Sequence, residues 1–138
     1  MIYLLDTSVL ILRERHEDVG RWFAGQVGAN NVAICDLVAI EYLNGAANGR
    51  KYDELMDALD ALDSVDIRPE DWRRARDVHR ALAQQTGGGQ RAVKIPDLLI
   101  AAVAERSALT VAHYDQDYER IAAITRQQVE WVAPRGSL

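Results

Sequence analysis

Apolar positions along the chain fall into short runs, and the runs alternate between two periods. "IYLL" (2–5) is a compact run of strand formers that stops at Asp6. "DTS" then offers Thr7 or Ser8 as a helix N-cap ahead of "VLILRER". A second helix is predicted from Glu17 to Gln26. After the loop "GANN", "VAIC" (32–35) reads as a second buried strand. Asp36 is placed to cap the helix "LVAIEYLNGAA", with Gly45 or Gly49 near its end. Leu55, Met56, Leu59 and Leu62 recur at helical spacing through "KYDELMDALDALDS" (51–64). "VDI" (65–67) is a brief third strand. Pro69 opens "PEDWRRARDVHRALAQQ", with acids in its first turn and arginines later, as the helix dipole favours.

"TGGGQRAVK" (86–94) is the glycine-rich stretch and reads as a flexible loop. The helix "PDLLIAAVAERSA" follows, apolar on nearly every side from Leu98 to Ala104, which predicts burial between layers. "LTVA" (109–112) is a fourth strand, "DQDYERIAAI" (115–124) a helix, and "VEWV" (129–132) a last strand. Strands alternating with helices predict an α/β fold, one domain over 1–138. Its mostly parallel sheet of about five strands is covered by helices on both faces. Such sheets place their sites beyond the carboxyl ends of the strands.

Composition narrows the function without choosing it. The chain has 138 residues, 49% hydrophobic and 27% charged, enough for one core. No apolar run reaches the ~20 residues that span a membrane. Asp6 interrupts the N-terminal apolar stretch, which makes a poor signal peptide. A single cysteine, Cys35, excludes an internal disulfide and a cysteine metal pair, and a cytoplasmic location is expected. The net charge of -5 argues against nucleic-acid binding through bulk charge, though not against a local basic surface.

The acids matter by position. Asp6 ends the first strand, Glu41 lies amid Leu37, Val38, Ile40 and Leu43, Asp97 is in the first turn of the most apolar helix, and Asp115 and Asp117 follow the fourth strand. Each has a structural alternative: Asp97 and Asp117 as first-turn acids, Asp115 as an N-cap, Asp6 as a strand-end turn. Glu41 resists that reading more, because an unpaired carboxylate is costly to bury. All of them approach one edge of the sheet, where their pKa values would rise unless a cation offset them. Oxygen ligands without His or Cys suit Mg²⁺ or Mn²⁺. One such ion, or a pair ~4 Å apart, activates water and stabilises an in-line phosphoryl displacement.

"YLLDTSVL", "AIEYLNGA", "KIPDLLIAAVA" and "HYDQDYERIA" occur in an order and at spacings that resemble a PIN-domain ribonuclease, most like a VapC toxin of a bacterial type II toxin–antitoxin pair. The resemblance spans nearly the whole chain. It implies an acidic site of Asp6, Glu41, Asp97 and Asp115. Asp6 and Asp97 would be the most direct metal ligands, and Asp115 would complete the metal set, directly or through metal-bound water. Thr7 or Ser8 would orient a carboxylate, and Asp117 would be the second acid of its block. It implies Mg²⁺-dependent hydrolysis of RNA to 5′-phosphate and 3′-hydroxyl ends. It also implies inhibition by a VapB-like antitoxin, homodimers, and heteromers with the antitoxin. Two departures stand out. His113 and Tyr114 occupy a place where members often have Thr or Ser, and Tyr118 replaces the usual Phe.

Candidate phosphate contacts are Arg91 and Lys94, ahead of Asp97, while Arg13 and Arg15 read as solvated charges. "RRAR" (73–76) is either a basic face or paired with nearby acids. The three histidines have no ligand spacing. A PIN nuclease of RNA processing, without a toxin role, is the alternative. A receiver-like signalling module needs an adjacent acidic pair after strand one, and a haloacid-dehalogenase-type phosphatase needs D-x-D there; the sequence reads Asp6-Thr7-Ser8.

Overall fold

Five strands form one parallel sheet: β1 (Tyr3–Leu5), β2 (Val32–Ile34), β3 (Asp63–Ser64), β4 (Thr110–His113) and β5 (Val129–Trp131), in the order β3-β2-β1-β4-β5. The computed structural model describes residues 1–85 and 87–138. Helices α1 (Thr7–Leu12) and α2 (Glu17–Gly28) connect β1 to β2, and α3 (Asp36–Leu43) and α4 (Gly49–Asp60) connect β2 to β3. Helices α5 (Pro69–Ala83) and α6 (Ile95–Arg106) return the chain to β4, and α7 (Asp117–Thr125) leads to β5.

The strand order reverses direction at β1. From β1 the chain moves outward through β2 and β3, then crosses back to β4 and β5 on the other side. Right-handed crossovers therefore put α1–α4 on one face and α5–α7 on the other. The contacts agree: α1 packs on α2 and α3, and α3 on α4, while α6 packs on α5 and α7. β1 and β4 pair with Leu5 opposite Ala112, so the chain after each strand emerges at the same edge. That edge, between β1 and β4, is the switch point where open α/β sheets carry their sites.

The core is built from the strands and from α6. Leu4, Leu5, Val111 and Ala112 are fully enclosed, and every residue from Asp97 to Ala104 is buried. A helix apolar all round needs cover on all sides, and α5, α7, β1 and β4 all touch α6. An ion pair fastens its far end: Arg106 donates to both oxygens of buried Asp71 at 2.8 and 3.1 Å.

Three local expectations are corrected. The third strand is Asp63–Ser64, not 65–67; the ladder to Ala33 and Ile34 sets its position, and an edge strand tolerates exposed polar residues. Val65 and Ile67 instead turn in against the core. Helix α4 therefore stops at Asp60 although Leu62 continues its period, and it starts at Gly49 because Asn48 caps the Lys51 N–H at 2.9 Å. Asp36 is the first residue of α3 rather than its cap, which is Cys35 without a side-chain bond. Within the glycine-rich stretch Thr86 lies outside the described residues, while Gly89–Ala92 form a 3₁₀ turn that approaches the end of α5.

Candidate active site

Asp6 is the last residue before α1 and its N-cap. Its extended backbone turns the carboxylate back over the first helical turn, where Oδ2 accepts the Ser8 N–H at 3.1 Å and the Ser8 hydroxyl. The cap is thus Asp6, not Thr7 or Ser8. Ser8 Oγ in turn accepts the Tyr114 N–H at 3.1 Å, and the Asp6 N–H donates to Ala112 O at 2.9 Å. The ends of β1 and β4 are locked together directly beneath the acids. The neighbouring Thr7 hydroxyl donates to Glu41 Oε1 at 2.8 Å, tying α1 to α3 and fixing Glu41 beside the first turn of α1. Beside Glu41 lies a cleft of about 240 Å³ whose lining includes Ile11, Arg15, Tyr42, Lys51 and Leu55.

From the opposite face come Asp97, Asp115 and Asp117. Pro96 sets the first turn of α6, and Asp97 sits there, buried. Asp115 follows β4 and bridges the short gap before α7: its Oδ1 accepts the Asp117 N–H at 2.9 Å. That bond starts the helix two residues after Asp115, so Asp115 supports α7 from outside it. One oxygen from each of Asp97, Asp115 and Asp117 lies within 4.8 Å of the others. Asp6 joins this group through Tyr118, whose hydroxyl donates to Asp6 Oδ1 at 2.6 Å and lies 3.3 Å from Asp97 Oδ1.

Lys94, expected to meet phosphate, instead sends its ammonium into the acids: 2.6 Å from Asp115 Oδ2, 2.9 Å from Asp117 Oδ2 and 3.4 Å from Asp97 Oδ2. Its backbone N–H also donates to Asp117 Oδ2 at 3.0 Å. Arg91 is exposed on the 3₁₀ turn. Arg13 lies over the Phe23 ring at 4.4 Å, with its Nε on Leu10 O, rather than in solvent. Within "RRAR", Arg74 pairs with Glu105 at 2.7 Å.

Electrostatics mark Asp97 out. Burial pushes its carboxyl up to about 8, and its neighbours Asp117, Asp6 and Asp115 push the same way against Lys94. Burial also opposes ionisation of Asp117, but its contact with the Asp97 carboxyl and the two donors of Lys94 outweigh that and hold it low. Asp97 Oδ2 is buried with no hydrogen-bond partner among the described residues, and the Lys94 ammonium lies in ion-pair contact with it at 3.4 Å. A hard divalent cation fits this set: three carboxylates converge, and one of them, Asp97, carries an unsatisfied buried acceptor.

Two residues of the site had no clear signal in the sequence. His113 is fully buried, and its Nδ1 accepts the Asp115 N–H at 3.1 Å, which orients the loop carrying Asp115. Burial pushes its imidazole pKa down, and Tyr118 and Trp131 pack on the ring. The hydrogen bonding that Thr or Ser would supply here thus comes from His113 and Ser8. Tyr118 carries the hydroxyl between Asp6 and Asp97; its departure from Phe was visible, but its contact was not.

The fold and the edge cluster define a PIN domain, and the chain belongs to the PIN-domain family, which matches residues 3–124. It is 44% identical over 138 residues to Ribonuclease VapC18 of Mycobacterium tuberculosis, covering 100% of both chains. Identity to Ribonuclease VapC51 of the same organism is 40% over 136 residues, covering 99% of this chain and 96% of the relative. Among solved structures, DNA-bound VapBC from Salmonella typhimurium superposes with a TM-score of 0.75 at 18% identity, covering 96% of this chain and 99% of that one. VapBC2 from Rickettsia felis, bound to a DNA fragment from its promoter, gives 0.74 at 19%, covering 95% and 98%. The family match sets aside the receiver-like and phosphatase alternatives.

Proposed function

We propose that the protein is a Mg²⁺-dependent endoribonuclease, the toxin of a type II toxin–antitoxin pair, held inactive by a VapB-like antitoxin. The observation that carries this reading is the convergence of Asp97, Asp115 and Asp117, with Asp6 one hydroxyl away, at the β1–β4 switch point. Full-length relatives named as VapC ribonucleases support the choice of RNA, and the VapBC structures support the antitoxin. Mn²⁺ has the same preference for oxygen ligands and is expected to substitute.

Asp97, Asp115 and Asp117, with Asp6 beside them, would hold the ion. When bound, it supplies Lewis-acid polarisation of the phosphodiester and lowers the pKa of the attacking water. The protein's own residues prepare the site. Ser8 and Tyr118 fix one oxygen each of Asp6, so that its orientation is set before substrate arrives. Thr7 fixes Glu41 at the rim of the cleft, and Glu41 would take up a proton from the attacking water. RNA is not attracted by the net charge of -5, so its phosphates meet individual cations. Arg15 and Lys51 line the cleft beside Glu41, and Arg91 is exposed on the turn ahead of Asp97. Self-association belongs to this reading, with Trp72 and Ile95 exposed on the α5–α6 surface.

Cleavage of a structured RNA pool by the purified chain tests this. We expect cutting with Mg²⁺ that stops with EDTA and falls at least 100-fold in Asp97→Asn and Asp6→Asn, while circular dichroism stays unchanged. Undiminished cutting by both folded variants overturns the site. Growth arrest on expression, relieved by a co-expressed antitoxin from the adjacent gene, tests the toxin role separately.

A further inference from the structure

We propose that Lys94 is a resident cation of the carboxylate cluster: its ammonium holds Asp97, Asp115 and Asp117 together until a divalent ion displaces it, so that metal binding and Lys94 release are one event. This rests on the metal-site reading above.

The contacts are those of a counter-ion rather than a substrate-facing side chain. The ammonium reaches three carboxylates, at 2.6, 2.9 and 3.4 Å. The acids are within 4.8 Å of one another, so the ammonium occupies the space a divalent ion would need, and two cations that close repel each other. Arg120, the other cation at these acids, approaches Asp117 Oδ1 at 3.6 Å while donating to Ala92 O, away from the Lys94 side. Tyr118 meets Asp6 and Asp97 with a neutral hydroxyl.

Lys94 is also built to leave. Its backbone N–H stays on Asp117, which fixes the start of the stem. The side chain is 62% exposed, so the ammonium swings out by rotation about its own bonds, with little apolar burial lost. Tyr118, fully buried, has no such exit. The exchange has a direction, too. The ammonium makes hydrogen bonds to Asp115 and Asp117 but leaves buried Asp97 Oδ2 without one. A divalent ion with more coordination positions satisfies all three acids. Lysine therefore lowers metal affinity while preserving the site's shape in its absence, which makes Lys94 a positioning residue.

Two measurements on the full chain test this. Mn²⁺ titration by calorimetry should give Lys94→Gln and Lys94→Met about tenfold tighter binding than the unsubstituted chain, as expected when a competing cation is removed. Their metal-free melting temperatures should fall, and their stabilisation by Mn²⁺ should grow. The second measurement needs no variant. The sequence contains two lysines, Lys51 and Lys94. Brief amine acylation read by mass spectrometry should show Lys94 labelling rise relative to Lys51 when Mn²⁺ is added, because the released ammonium reacts as an exposed amine. Equal or weaker Mn²⁺ affinity in both variants, or an unchanged labelling ratio at saturating Mn²⁺, overturns the role of Lys94 alone. Absence of Mn²⁺ binding by every form overturns the metal site, and this inference with it.

Discussion

The Tyr118 hydroxyl donates to Asp6 Oδ1 at 2.6 Å, joining a residue of α7 to the cap of α1 across the sheet edge. The oxygen it satisfies belongs to a buried carboxylate, so removing the donor leaves that charge short of a partner. Tyr118→Phe keeps the ring and its packing on His113. We expect it to lower metal-free stability by roughly 1–3 kcal/mol, the usual cost of stranding a buried acceptor. Urea unfolding in EDTA measures it, and unchanged stability would show that Asp6 does not depend on this bond.

Asp71 and Arg106 give a pH dependence away from the candidate active site. Burial opposes ionisation of Asp71, but Arg106 and the Arg68 N–H outweigh it and hold the carboxyl below its ordinary value of 3.8. A depressed carboxyl adds stability above its unfolded pKa, and that stability is lost as pH falls through the lower folded value. Asp71→Asn should therefore flatten the acid side of the stability curve. Arg106→Met leaves the buried charge unpaired and should cost about 3 kcal/mol at pH 7. Denaturant midpoints measured from about pH 7 down to about pH 2, across the range where carboxylates titrate, report both effects.

Thr7→Val separates orientation of Glu41 from its presence. The substitution removes the hydroxyl that donates to Glu41 Oε1 while keeping a branched side chain. Single-turnover cleavage should slow by about 10- to 100-fold, as when other partners that orient site carboxylates are lost. Since Thr7 is only half-buried, stability should move little. A variant as fast as the unsubstituted chain would remove Glu41 orientation from the scheme.

Gly89 sits where the 3₁₀ turn touches α5. A Cβ there would lie 2.9 Å from Leu82 O, which is backbone and cannot swing aside. Gly89→Ala should destabilise by about 1–3 kcal/mol, as overpacking does. The same shift should disturb Lys94, five residues on, and so alter Mn²⁺ affinity. Gly25→Ala, inside α2 with nothing within 4 Å, is the control: it should raise stability by about 0.5–1 kcal/mol and leave Mn²⁺ affinity unchanged.

The strand–helix alternation and the all-apolar α6 were legible because burial on every side leaves a continuous apolar signature. Asp6, Asp97 and Asp115 were legible because each follows or opens an element at one edge. β3 was not, since its residues are exposed and its place is decided by pairing with β2 rather than by its own pattern. Nor were the roles of Lys94, His113 and Tyr118. Each acts through a contact made by folding: Lys94 meets Asp117 across 23 positions and Tyr118 meets Asp6 across 112. A lysine before a helix and a histidine after a strand have many ordinary uses, and only the assembled edge distinguishes them.

The pairing of Tyr3 with Thr110 has a consequence for the order of synthesis. Asp6 leaves the ribosome among the first residues, yet its neighbours at the edge belong to the last third of the chain. A nascent chain carries Asp6 and waits for Asp97, Asp115 and Asp117, so the acidic cluster cannot assemble while most of the polypeptide is still being made. The edge of the sheet therefore closes only once the last third of the chain has been made.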